Sequence, residues 1–327
     1  MPTARVARTA APALVLTAIL ILYVVWGSTY LGIRIAVASI PPFVLASVRF
    51  ALAGVVILVI VGILRHGSLR RPTLRQWRDS AIVGALFMGG GMGMVAWGEQ
   101  TVPSGITGVL IAMMPVWVAV FGRVFFHERL PWIATVGIAI GMAGVVLLIG
   151  QGVAVDRTLD PAGVAALVVS PIAWSAGSLF STHGADLPDD PFVTTGMEFV
   201  TGASVLGVMS LASGELSTFQ LADVTPESAI AFVYLTVVGS LIAFTAFAWV
   251  LRHAPLPLIA TYAFVNPVIA VFLGWLILHE AITPVQLVAG VVIVVGVALI
   301  IVSRNRLPVA RQPEPAERGS ENAAIAA

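Results

Sequence analysis

Residues 103–149 read PSGITGVLIAMMPVWVAVFGRVFFHERLPWIATVGIAIGMAGVVLLI, and residues 255–301 read PLPLIATYAFVNPVIAVFLGWLILHEAITPVQLVAGVVIVVGVALII. Adding 152 to Pro103, Pro115, Val116, Gly122, His127, Glu128, Val136, Gly144, Val145 and Ile149 reaches the same residue type each time. The echoes are Pro255, Pro267, Val268, Gly274, His279, Glu280, Val288, Gly296, Val297 and Ile301. One offset held without a gap marks an internal duplication, and it governs every later assignment. Each copy is an apolar helix with a central proline, a short His-Glu turn, and a second apolar helix containing glycine.

The surrounding chain is apolar throughout. Of 327 residues, 59% are hydrophobic and 10% charged, with a mean hydropathy of +1.01, whereas soluble domains carry about 25% charged residues. Apolar runs of about 20 residues, enough to cross roughly 30 Å of hydrocarbon, recur from end to end. There is no cysteine, which excludes disulfides and Cys-ligated metals. All 17 basic residues are arginine. A Walker A site needs a lysine on the nucleotide phosphates and a Schiff base needs a lysine amine, so both chemistries are excluded. His127-Glu128 and His279-Glu280 do not extend to HExxH, and no metal site or cofactor is expected.

Helix breakers divide the chain into ten expected spans, at 12–37, 41–64, 79–98, 104–126, 131–150, 161–182, 191–212, 228–250, 256–278 and 283–302. Arg5 and Arg8 before an apolar run, with Ala36-Val37-Ala38 beyond it, resemble a signal peptide. The run from Ala10 to Val25 is longer than the usual h-region of about 7–15 residues and continues into Trp26, so a retained first span is expected. Arginine collects on one side, at 5, 8, 65, 70, 71, 75, 78, 123, 129, 252, 304, 306, 311 and 318, while the opposite loops hold only Arg157 among several acids. This asymmetry places both termini in the cytoplasm. Ten spans in two copies give five per copy, and an odd number turns the second copy over. The expected fold is therefore all-α and integral to the membrane, with two inverted-topology repeats of five helices. The divisions are a cytoplasmic tail 1–11, a first repeat 12–150, a periplasmic linker 151–160, a second repeat 161–302, and a polar C-terminal tail 303–327 whose composition predicts disorder. One chain supplies both repeats; its partners are the bilayer and a small molecule, with no nucleic acid.

In the more diverged half of each repeat, Trp26 matches Trp174 and Phe50 matches Phe199, which sets Arg49 against Glu198. An ionisable group inside hydrocarbon costs about 2.5–3.5 kcal/mol on insertion scales. Arg34, Arg49, Glu99 and Glu198 therefore call for reasons. Arg49 lies about 12 Å deep at 1.5 Å per residue; it is a candidate for a substrate carboxylate, an outer gate, or a structural ion pair in a network with Arg34 and Glu99. Glu198 has no basic neighbour in the sequence and is a candidate for a coupling proton, a substrate ammonium, or a neutral helix-packing group. Trp26 and Tyr30 share one helix face, and Trp174 and Ser178 repeat the spacing. With Trp97, Tyr262 and Asn266 they form a candidate cavity lining for an amphipathic small molecule, against the alternative of interfacial belts or packing. Pro115 and Pro267 each remove a backbone hydrogen bond at mid-helix, as hinges or as static kinks. Gly137 and Gly141 form a small-residue face for close packing.

The order of these motifs resembles the EamA-type transporters of the drug/metabolite transporter superfamily over nearly the whole chain. The carrying residues are Trp26-Gly27-Ser28-Thr29-Tyr30, Pro41-Pro42 with Arg49-Phe50, Val102-Pro103-Ser104-Gly105, Pro115 ahead of Glu128, Gly196-Met197-Glu198, and Tyr262-Ala263-Phe264-Val265-Asn266-Pro267 ahead of Glu280. The resemblance implies a bacterial inner-membrane exporter of amino acids or related metabolites, with a central cavity between the repeats. Small four-helix multidrug relatives use a glutamate in their first helix for proton antiport; span 1 here has no acid, so that mechanism does not carry over. A multidrug or toxic-cation exporter of the same fold stays open as an alternative, as do a passive channel and a membrane enzyme. The expectation is a secondary transporter and not an enzyme.

Overall fold

The computed structural model describes residues 12–65, 71–127, 131–152, 159–250, 262–279 and 282–305. Both tails, the segments 153–158 and 251–261, and Glu128 and Glu280 lie outside them. The described elements are helical. They run α1 (Pro12–Ala36), α2 (Pro42–Leu64), α3 (Leu74–Gly98), α4 (Ser104–Ile111), α5 (Met114–Phe126), α6 (Trp132–Gly152), α7 (Pro161–His183), α8 (Pro191–Ala212), α9 (226–250), α10 (Tyr262–Leu278) and α11 (Pro284–Asn305). Six of these, α1, α2, α3, α7, α8 and α9, are long and apolar enough to cross a membrane by length and composition. Their outward faces carry Val59, Ile63, Val208, Leu211, Ile230 and Val233, all exposed, which suits hydrocarbon and not water.

The local signals are those the sequence offers. Proline occupies the first turn of α2, α7, α8 and α9, where its missing N–H has no partner to lose. Asp160 and Asp190 cap α7 and α8 through their carboxylates, and Thr73 with Gln76 forms a capping box on α3. Helix α3 begins at Leu74, earlier than the expected 79, because this box starts it before the apolar run does. Span 4 departs further from expectation. The helix is interrupted at Ala112–Met113, both still in αR backbone, and resumes as α5 with Pro115 in its first turn. The irregularity expected at Pro115, as a hinge or a static kink, thus takes the form of a two-residue interruption just before the proline.

The duplication is visible in backbone conformation. Among the described residues, the only non-glycine residues with positive φ are His127 (56°) and His279 (52°), 152 positions apart. His127 is the left-handed C-cap of α5, so the repeated histidine stops a helix. The third helix of each copy also widens into a π-helical stretch at matching places, Ala85–Gly93 in α3 and Leu235–Ile242 in α9.

Equivalent helices pack against each other head to tail. On α2 and α8, Ser47 donates to the Ala203 carbonyl at 2.9 Å, Gly54 faces Phe199 and Gly196 faces Leu58. Arg65 closes the pair on Asp190. Numbers rise along one helix as they fall along the other, so the two are antiparallel. Phe50 meets Phe199 in the middle, ring centroids 5.1 Å apart. Helices α6 and α11 repeat the arrangement: Gly137 faces Gly296 and Ile300, and Gly144 faces Ile293. Lipid supplies no hydrophobic drive between helices, so close backbone approach of this kind is what holds them.

Polar ties lie at both ends. At the arginine-bearing end, the buried Asp79 carboxylate accepts from Arg78 Nε at 2.8 Å and from the Asp186 amide at 2.8 Å. At the other end, Glu215 accepts from the Phe43 and Val44 amides at 2.9 and 3.1 Å, capping α2 from the far repeat. Glu215→Ala is expected to lower stability by about 1 kcal/mol, the usual loss of an N-cap. A melting temperature unchanged from the parent in detergent would contradict this.

Candidate functional site: a cavity between the repeats

Helices α1, α2, α3, α7, α9 and α10, with the α4–α5 break, line a partly open cavity of about 80 Å³. Six of the sequence-predicted residues line it: Trp26, Tyr30, Arg49, Trp174, Tyr262 and Asn266. They reach it from four helices, α1, α2, α7 and α10, spread over both copies.

Trp26 closes a π-helical stretch of α1, Leu22–Trp26, and its ring meets Phe244 at 5.3 Å and Tyr262 at 4.9 Å, the latter edge-on at 85°. Its counterpart Trp174 stacks on Phe87 at 4.6 Å. Trp174 also lies against Gly91, where a Cβ would fall 2.9 Å from the ring; the glycine run of α3 is what lets the indole in. Pro171 sits inside α7 and leaves a carbonyl of the preceding turn without its usual donor. Ser175 faces the Pro171 carbonyl at 2.6 Å and that of Met114 at 3.0 Å, which ties α7 to the start of α5.

Arg49 supplies the charge. Its residue is only 3% exposed, about 10 Å along α2 from Pro42 at 1.5 Å per residue. Nε donates to Ser240 Oγ at 2.9 Å, and the guanidinium carbon lies 4.8 Å from the Phe50 ring centroid. Gly239 leaves room beside it, since a Cβ there would stand 3.1 Å from Nη2. Among the described residues no carboxylate approaches Arg49 within ion-pair distance. Arg49 is the one charged side chain among the described lining residues. On α10, the Asn266 amide nitrogen faces the carbonyls of Tyr23 (3.2 Å) and Tyr262 (3.1 Å), an orientation that satisfies its donors and turns its oxygen away from them.

Three expected site residues do not reach the cavity. Trp97 packs against the apolar cluster of α2, α3 and α8; it follows the lining residue Val95 by two positions, which puts it about 200° round the helix at 100° per residue. Ser178 donates back to the Trp174 carbonyl at 2.9 Å, one turn beyond the end of the cavity. Glu198 is buried on α8, in a segment whose backbone meets Gly84 of α3. The expected network of Arg34, Arg49 and Glu99 is also divided: Arg34 bonds the Glu99 carbonyl, and Arg49 bonds Ser240. Pro115 and Pro267 lie where expected along the chain, in α5 and α10. Sequence reasoning missed Thr29, Ser170, Pro171, Phe244 and the 112–114 break as lining. The mid-helix Pro171, three positions before Trp174, was the available signal.

Comparisons with known proteins agree with this architecture. The uncharacterized inner membrane transporter YedA of Escherichia coli is 35% identical over 89% of this chain and 92% of its own length. A probable terminal-alkyne amino-acid exporter of Streptantibioticus cattleyicolor is 26% identical over 92% of this chain and 97% of its own. A solved crystal structure described only as that of a protein aligns with a TM-score of 0.59 at 22% identity, over 90% of this chain and 98% of that one; at that identity the likeness is one of fold. The family model described as the EamA-like transporter family matches twice, at residues 13–150 and 161–302. The chain is a membrane transporter belonging to the EamA-like transporter family.

Proposed function

We propose that this protein is a secondary transporter that exports amino acids or related small metabolites across a bacterial inner membrane, by alternating access through the cavity between its repeats. Ten spans with both termini in the cytoplasm is the topology that accompanies this reading. The observation that carries it is Arg49, a buried guanidinium facing a cavity otherwise lined by rings, aliphatic groups and a few neutral polar groups. Such a site recognises a carboxylate by paired charge-assisted hydrogen bonds and a small apolar body by contact. A toxic-cation exporter is less well supported, because a cation would meet the charge of Arg49 with no lining carboxylate among the described residues. The relative named as an amino-acid exporter and the relative named as an inner membrane transporter support the same direction. The α4–α5 break and Pro267 are the proposed hinges, since proline weakens a helix at the point of bending.

The test is counterflow in proteoliposomes with a panel of labelled amino acids and amino-acid-derived acids. Saturable uptake, competed by excess unlabelled compound and absent from empty liposomes, is the expected result. Purely linear uptake of the whole panel would remove the reading.

A further inference from the structure

We infer that the cavity selects small organic carboxylates bearing no ammonium group, such as 2-oxo, hydroxy or N-acylated acids, ahead of zwitterionic amino acids. This rests on the exporter reading and narrows its substrate class.

The argument begins with charge. Arg49 brings one positive charge into the cavity, and no described lining residue is acidic or an imidazole. Glu198 and Glu99 are buried elsewhere, outside the lining. A carboxylate on Arg49 makes a neutral complex. A zwitterion on the same group leaves an ammonium with no counter-charge in the lining, the nearest acid being Glu99 behind Tyr30, in a space where taking an ion out of water costs several kcal/mol unless it is paired.

Aromatic rings are the usual substitute for a counter-charge, because a cation is attracted to a ring face. Two of the lining rings are already engaged by others. Trp26 is packed by Phe244, Phe247 and Tyr262 at centroid distances of 5.3, 5.1 and 4.9 Å, and Trp174 has a face stacked on Phe87.

Neutral polar groups fit the other half of such a substrate. Thr29 donates its hydroxyl hydrogen to the Trp26 carbonyl at 2.7 Å, so its oxygen is left as an acceptor. Ser170 adds a hydroxyl to the lining. These acceptor oxygens suit the O–H of a hydroxy acid or the N–H of an acylamino acid, and they bring an ammonium no counter-charge.

The experiment is competition against counterflow of labelled phenylpyruvate by phenylpyruvate, N-acetylphenylalanine, phenylalanine and 2-phenylethylamine, which share a ring and differ in charge. The oxo and N-acetyl acids are expected to compete at concentrations at least about tenfold lower than phenylalanine, a difference worth about 1.4 kcal/mol, and the amine not at all. Phenylalanine competing as well as or better than the oxo acid overturns the inference. Saturable counterflow of labelled phenylalanine without that of phenylpyruvate also overturns it and leaves the exporter reading standing. Absence of saturable counterflow for every acid in this series and in the amino-acid panel removes both.

Discussion

Arg49→Gln is expected to abolish saturable counterflow while leaving the protein folded. A hydrogen bond to a charged group contributes about 1.5–3 kcal/mol, so losing the guanidinium raises the dissociation constant of a carboxylate by roughly 10–150-fold. Arg49→Lys is expected to fail nearly as badly. It keeps the charge and loses the planar fork, together with the Nε donor that Ser240 receives at 2.9 Å. The competing role is structural: Arg49 on α2 holds Ser240 on α9, one repeat to the other. The two roles separate in the melting temperature. A binding residue without a carboxylate partner leaves stability nearly unchanged when its buried charge is removed. A structural clamp does not, and a fall of many degrees alongside lost transport would assign Arg49 to the scaffold.

The second large effect is expected at the α6–α11 seam. A Cβ on Gly296 would lie 2.5 Å from the Gly141 amide nitrogen and 2.6 Å from the Gly137 carbonyl oxygen. Both are backbone atoms, which cannot swing aside as a side chain does. Gly296→Val therefore forces the helices apart, and overpacking of this kind costs about 1–3 kcal/mol. Loss of the monodisperse peak in detergent, or a sharply lowered melting temperature, is the expected outcome. Gly62 on α2 is the control, because nothing lies within 4 Å of a Cβ built there. Gly62→Ala is expected to gain about 0.5–1 kcal/mol through helix propensity. A Gly296→Val protein that melts with the parent would show that the seam does not hold the repeats.

Much of this architecture is readable from residue order alone. The offset of 152 predicts that His127 and His279 share a role, and both adopt the same rare left-handed backbone. Repetition also picks out Trp26 and Trp174 among eight tryptophans, and both line the cavity. What is not readable depends on contacts between distant segments or on local helix geometry. Ser240, the hydrogen-bond partner of Arg49, lies 191 residues away, and no feature of a single sequence joins them. Trp97 looked equivalent to the other aromatics by type. Its face is set by its angular distance from Val95, and a π-helical stretch just before them changes the phase of both. Pro115 was legible as a place where a hydrogen bond is missing, but a kink and a short interruption begin from the same missing bond.

The seam holds a record of descent. Gly144 and Gly296 occupy one position of the duplicated segment, and Gly141 and Ile293 occupy another. Gly144 presses on Ile293, and Gly296 presses on Gly141. A single ancestral contact is thus present twice, once as glycine against isoleucine and once as glycine against glycine. A segment that fits its own inverted copy needs no second gene to evolve a matching surface. The position shared by Gly144 and Gly296 is glycine in both copies, and at each a Cβ would meet backbone of the facing helix.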